Sequence, residues 1–448
     1  MQIDIIPILL VLAGSYFLIR LKFFFVLHPV RTLTRALRAI NDKRAARSFF
    51  LALAGTLGVG NVFGVAVGLI VGGAGSLFWL FISMLFAMVI KYSEVVLSSD
   101  NLYHDADTHG GFYYVIRASF KRFGGALSSA YAATTLALSL VMGAALQSDA
   151  LTESVTEIAD IPPLLIASGF IILTLLSIMG GAKRIEKITA IIIPLTTIIY
   201  IFIALGIVIV NIHDLPIVIK SVISGAFLPR SFIGGGLGFT LSISLRAGFK
   251  RGLLSNEAGA GTSAMAHARS GVLSPASAGL LGILEVWFDT GLICMLTGFA
   301  ILLSVGDISY VEGGMQLVMY AVGNVYGTAG KIATLFSVLS FAFATVICWY
   351  YYGSESWCAL FGKRYRTAFL PLFLLAAFLG CFVDSYLLVR LTDILMAIAT
   401  ALTLTALIKN SDRVRTLSES GGVIDLNLKR LRPLRFKGSV FSKGERHR

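Results

Sequence analysis

The 448-residue sequence predicts an all-α polytopic membrane protein of about eleven spans, arranged as two five-helix repeats after one extra helix. Three observations predict it. The chain is 56% hydrophobic and only 14% charged, where soluble domains carry about a quarter charged residues. Its mean hydropathy is +0.84, and apolar runs cover nearly its whole length. Two of those runs are interrupted by glycine clusters, and four further spans follow each of them. An odd number of spans per repeat inverts the second copy relative to the first.

In chain order, the N-terminal extra helix occupies 1–28, with its span near 5–25. Asp4 stands where a secretory leader would be basic, and no small-residue cleavage site follows, so this span is expected to be retained. Residues 29–47 are too polar to cross. There Leu33, Leu37 and Ile40 share one helical face beside Arg31, Arg35 and Arg38, which suits a basic amphipathic helix at the inner interface. The first repeat takes 48–211, with spans near 48–72, 76–98, 126–148, 163–181 and 188–211. The second takes 231–408, with spans near 231–249, 277–304, 329–353, 367–387 and 389–408. A basic tail, 409–448, closes the chain, and its polar stretch from Ser411 is expected to be partly disordered.

The formal net charge is +13. Residues 20–47 hold eight Lys/Arg against one acid, and residues 410–448 hold ten against four, so these two segments carry the whole excess. In a soluble chain that balance would point to nucleic acid. In a membrane chain it points to anchoring on anionic lipid at the cytoplasmic face, and no nucleic-acid partner is expected. Basic loops at 91–122, 183–187, 250–269 and 363–366 alternate with uncharged or acidic ones at 72–76, 149–160, 307–312 and Asp384. Setting the basic loops inside puts the N-terminus outside and the C-terminus in the cytoplasm of a multi-pass protein of a bacterial-type inner membrane. The cysteines Cys294, Cys348, Cys358 and Cys381 lie in or beside apolar runs without paired spacing and read as packing residues.

The first interrupted span carries Gly58-Val59-Gly60-Asn61 at its middle. Glycines from Gly64 onward recur every four residues and suit close helix packing. The earlier pair is different, because unwinding there would free backbone groups at membrane depth, which is costly unless a ligand or ion takes them. The second interruption is expected within 231–249, where Gly234, Gly235, Gly236 and Gly238 precede Ser242, Ser244 and Arg246. Where two broken helices meet near the midplane, secondary transporters place substrate and coupling ions.

The motifs carry a resemblance. Ala54-Gly-Thr-Leu-Gly-Val-Gly-Asn-Val-Phe-Gly-Val-Ala66 looks like the first broken helix of the alanine/glycine:cation symporter (sodium:alanine symporter) family. Phe249-Lys-Arg-Gly-Leu-Leu-Ser-Asn-Glu-Ala-Gly-Ala-Gly-Thr-Ser263 resembles its signature stretch. Lys91-Tyr92 with Glu94, Phe288-Asp289-Thr290, and Phe341 to Thr345 leading to Trp349 and Tyr351-Tyr352-Gly353 follow in order. The resemblance implies a leucine-transporter-like 5+5 inverted repeat of the amino acid–polyamine–organocation superfamily. It also implies an importer, not an enzyme, that couples a small neutral amino acid (alanine or glycine) to sodium, with no cofactor beyond the ion.

On that reading Thr56, Gly58, Gly60 and Asn61 would hold a substrate carboxylate with backbone amides, as freed N–H groups favour anions. Gln147 would face the substrate, Trp349 would shape or close the pocket, and Ser242, Leu245 and Arg246 would line the second break. Carbonyls of Ala54, Leu57 and Phe341, with the Thr345 hydroxyl, would bind sodium, a hard cation that takes oxygen ligands. Packing, helix glue and back-bonding to the helix are the bland alternatives for these residues. Lys91 and Glu94 could pair across one helix face. Glu285 and Asp289 share a face too, as a proton relay or as partners of a base such as Arg246. His104, Asp105, Asp107 and His109 read as a solvated loop. Val59 and Ala344 depart from the family pattern and leave protons as an alternative coupling ion. Rival classes are a membrane-embedded enzyme and a non-transporting sensor of the same fold.

Overall fold

The computed structural model of the chain describes residues 5–100, 111–156, 158–227, 243–271, 273–306, 308 and 313–424. Six helical stretches among them are long and apolar enough to cross a membrane: Gly75–Ser98, Gly124–Thr156, Gly181–Val210, Pro275–Ser304, Gly314–Phe361 and Ser385–Lys409. The pair Lys43–Thr56 and Val59–Gly72, bent by 65°, passes together as a seventh. Shorter apolar helices occupy other expected positions. Among them α1 (Ile5–Arg20) and α10 (Pro163–Ile178) have 16 residues and α18 (Phe369–Gly380) has 12. At about 1.5 Å per residue these fall short of a straight crossing, which is why the sequence predicts about eleven spans and fewer meet the length.

Local chemistry sets the helix starts. Asp42 caps α4 (Lys43–Thr56), its side chain accepting from the amides of Arg44 at 2.8 Å and Ala45 at 3.0 Å. Ser274 caps α15 (Pro275–Val286), with Pro275 at the first helical position. Asp384 caps α19 (Ser385–Lys409). Two long crossings are wound as π-helix where they reach the interior. Ser139–Ala145 joins α8 (Gly124–Leu138) to α9 (Leu146–Thr156), and Trp287–Cys294 joins α15 to α16 (Met295–Ser304). Such wide turns occur often at functional sites. α17 (Gly314–Phe361) turns at Gly327, and α4 packs against it and against α11 (Gly181–Val210).

The charge-bearing segments differ from expectation in one place: Lys183–Lys187, read as a loop, lies inside α11. The first part of the basic tail forms α20 (Ser411–Ser420), docked on α6 (Gly75–Ser98) and α15, and residues 425–448 lie outside the described residues. Tyr92 donates to Ser418 at 2.8 Å, Arg413 pairs with Asp100 at 2.7 Å, and Arg35 donates to the Gly422 carbonyl at 2.7 Å. Buried partners compensate the ordering entropy that composition alone makes prohibitive. The expected interfacial segment contains α3 (Pro29–Ala39), with Leu37 exposed and Ala36 and Ala39 buried.

Candidate functional site

The first interruption falls where the glycine pair predicts it. α4 ends at Thr56, a single 3-10 turn Val59–Asn61 follows, and α5 (Phe63–Gly72) departs at the 65° bend. Gly58 is a close approach. A Cβ there would lie 2.9 Å from Gln147 Oε1 and 3.1 Å from Thr345 Oγ1, so no larger residue fits without movement. Gly60 is the opposite, since a Cβ there would meet nothing within 4 Å. Both line a cavity with Thr56, Asn61 and Gln147.

The polar groups around it are mostly engaged. Gln147 Oε1 accepts the Val59 amide at 3.1 Å, and Gln147 Nε2 donates to the Met142 carbonyl at 3.4 Å. Thr345 Oγ1 sits 2.9 Å from the Ala54 carbonyl and 3.3 Å from that of Leu57. Phe341, fully packed, lies one turn earlier on the same helix. Thr56 bonds back to Leu53 O at 3.3 Å. Trp349 is buried and donates to the Gly55 carbonyl at 3.2 Å, bracing the end of α4 beside the cavity. Asn61 donates its amide to Asp289, while its buried Oδ1 has no partner.

The glycine run Gly234–Gly238, where the sequence predicts the second interruption, lies outside the described residues, and another break follows further along the chain. Residues 228–242, with Ser242, are outside the described residues. From Ile243 the chain is a regular helix, α13 (Ile243–Asn256), which breaks only at Glu257 and resumes as α14 (Ala264–Ala268). Positive φ at Glu257 (53°), Gly259 (93°) and Gly261 (71°) is what stops the helix. Leu245, expected at the substrate, instead lines a lateral apolar groove with Pro7, Trp79, Phe86 and Phe249. Ser244, at the same end, donates to the Gly72 carbonyl at 2.7 Å. The Ala-Gly-Ala-Gly at this break lies inside the signature stretch.

Asp289 joins the two interruptions. It accepts from Asn61 of the first, from Ser255 beside the second at 2.6 Å and from Thr290 at 2.8 Å. Asn256 donates to Thr290 at 3.1 Å and accepts the Ala258 amide at 3.0 Å. Glu285 pairs with Lys91 at 3.6 Å and His267 at 2.6 Å rather than with Arg246. Lys91 reaches Glu285 across the bundle, so it does not pair along its own helix with Glu94, whose Oε1 takes the Gly261 amide at 3.0 Å.

Several lining residues escaped the sequence reading, among them Met142, Asp149, Arg251 and Val389. Arg251, assigned to a loop, lies on α13 with its stem over Gly64 and Gly68 and lines the cavity with Leu254. The three-residue spacing to Leu254 was the available signal. The 104–109 group is outside the described residues. Among the described residues, no group of three or more His, Cys, Asp or Glu is placed to hold a metal ion.

Comparison with known proteins agrees with this architecture. A family model described as the sodium:alanine symporter family matches residues 1–418. An uncharacterized transporter of Haemophilus influenzae is 30% identical over 389 residues, covering 83% of this chain and 84% of that protein. The sodium/alanine symporter AgcS of Methanococcus maripaludis is 28% identical over 394 residues, covering 83% and 84%. Among solved structures, a manganese transporter mutant of Eremococcus coleocola is similar in fold, with a TM-score of 0.50 and 16% identity over 85% of this chain and 78% of that one. The chain belongs to the sodium:alanine symporter family, a family of membrane transporters and not of enzymes.

Proposed function

We propose that this chain imports a small neutral amino acid, alanine or glycine, together with sodium, by alternating access through a leucine-transporter-like 5+5 inverted repeat. The supporting observation is the geometry at Gly58–Asn61: an unwound backbone beside a cavity, with open space at Gly60 and a buried glutamine on the facing helix. The substrate carboxylate would take backbone amides at Gly58 and Gly60, with Thr56, Asn61 and Gln147 around it. The side-chain end would point into the open space at Gly60.

Sodium would sit among the carbonyls of Ala54, Leu57 and Phe341 and the Thr345 hydroxyl. The hydroxyl already lies within 3.3 Å of two of those carbonyls, an all-oxygen set suited to a hard cation. The N-terminus would be outside and the basic C-terminus in the cytoplasm, against anionic lipid.

The test is uptake of labelled alanine and glycine into proteoliposomes under a sodium gradient, and again with choline replacing sodium. Sodium-dependent uptake is expected. Uptake indifferent to both sodium and proton gradients, or binding without uptake, would sink the proposal. A proton-coupled second reading is favoured by the buried acids around Glu257, described next.

A further inference from the structure

The interior between α6, α14 and α15 holds more acid than base. Lys91, Glu94, Glu257, Glu285 and Asp289 are 0% exposed and His267 is 1% exposed. Two of the four acids are partnered at both oxygens, Glu285 Oε1 by the Lys91 ion pair alone, without a hydrogen bond. Glu285 faces Lys91 and accepts from His267 Nε2 and, at 3.3 Å, from Ser263. Asp289 accepts from Asn61, Ser255 and Thr290. Glu94 and Glu257 are not. Glu94 Oε1 takes the Gly261 amide, but Oε2 has no partner. Glu257 Oε2 meets the Thr262 hydroxyl, but Oε1 has none.

One lysine, already paired to Glu285 and bonded to Ser263 at 2.8 Å, cannot neutralise both. An unpaired carboxylate in a dry interior takes up a cation or a proton rather than stay charged. A proton is the cation that a lone carboxylate takes up without any further ligand. Glu94 Oε1 has a backbone N–H to accept from. Glu257 has only a hydroxyl, which can accept as readily as it donates.

We infer that Glu257 carries a proton in this conformation and is a proton site of the transport cycle. The groups facing Glu257 are Lys91 from α6, Glu285 and Asp289 from α15 and its π-helical continuation, Tyr131 from α8, and Cys348 and Tyr352 from α17. Glu94 and His267 complete the cluster through Lys91 and Glu285. The loop Glu257–Ser263 holds the site closed. Tyr131 donates to Ala260 O at 2.7 Å, Thr403 donates to the same carbonyl at 3.4 Å, and Lys91 holds Ser263. Movement of α13 relative to α6 breaks that cage, wets Glu257, and lets its O–H bond give the proton to water, leaving the carboxylate. Ser255, Asp289 and Asn61 connect the same movement to the first interruption.

The coupling role rests on the transport reading, whereas the protonation does not, and the experiment separates them. Full-length protein in nanodiscs is titrated under infrared difference spectroscopy as wild type, Glu257→Gln and Glu94→Gln. A protonated-carboxyl band at neutral pH that disappears in Glu257→Gln and persists in Glu94→Gln is expected. A band absent from wild type, or surviving in Glu257→Gln, overturns the site. Should Glu257→Gln not fold, Glu257→Asp must shift the band, and an unmoved band overturns it equally. In proteoliposomes holding a pH dye, alanine should move protons with wild type and not with Glu257→Gln. Alanine uptake without proton movement overturns the coupling role. If wild type takes up no amino acid, the transport reading fails and the band still decides the proton site.

Discussion

The two interruptions are built from opposite materials. The first, Leu57 to Asn61, is glycine, backbone and neutral amide, and it borders a cavity. The second, Glu257 to Ser263, is held by two carboxylates, a lysine and a tyrosine, and is closed off. A broken membrane helix has to satisfy the groups it frees. The first leaves room for a small ligand to do so. The second satisfies its own amides with buried acids and acquires an excess of charge. The difference teaches that one break is suited to recognition and the other to storing and moving charge.

The largest expected effect lies at the second break. Lys91→Ala leaves Glu285 without its cation, and breaking a buried pair costs about 3–5 kcal/mol. Thermal unfolding monitored by fluorescence size-exclusion should show a large loss of folded protein. Recovery of wild-type stability would show that the interior is not charged as described. Next is Gly58→Ala, whose Cβ would press on Gln147 and Thr345. Overpacking of this kind costs about 1–3 kcal/mol, so uptake should fall at least about tenfold while folded protein is retained.

Gln147→Ala strands the Val59 amide, at about 1–3 kcal/mol for a buried unsatisfied group. The apparent affinity for alanine should drop roughly tenfold or more, and an unchanged value would argue that the glutamine only glues helices. Thr345→Ala should raise the sodium concentration needed for half-maximal uptake by about tenfold, the loss of one ligand worth about 1.4 kcal/mol, with Thr345→Ser restoring it. Gly60→Ala is the mildest for stability, expected within about 0.5 kcal/mol because the added methyl meets nothing. Its value is in selectivity: it should disfavour alanine relative to glycine in competition assays, and unaltered selectivity would place the substrate side chain elsewhere.

Much of this was legible in the residues. Helical membrane class follows from composition, and the first break from Gly58-Val59-Gly60-Asn61, since a glycine pair followed by a polar amide in an apolar run has one economical explanation. The break at Glu257 was not read from the residues, because its decisive feature is a positive φ at Glu257, Gly259 and Gly261, which composition does not reveal. Arg251 was misread for a related reason: adjacent charges at Lys250-Arg251 resemble a loop until the helix carrying them is seen to run on to Asn256. The docked α20 was hidden by its polarity, since its partners Tyr92, Asp100 and Arg35 are far away in sequence.

By itself, then, the sequence determined what periodicity, charge balance and local motif can carry: a helical membrane protein, its basic ends and one unwound helix. Tertiary structure alone decided which carboxylates share a site, that Asp289 bridges both breaks, and that Lys91 serves Glu285 rather than its neighbour Glu94. Those are distances between residues remote in the chain, and burial turns such distances into energies that no local pattern encodes.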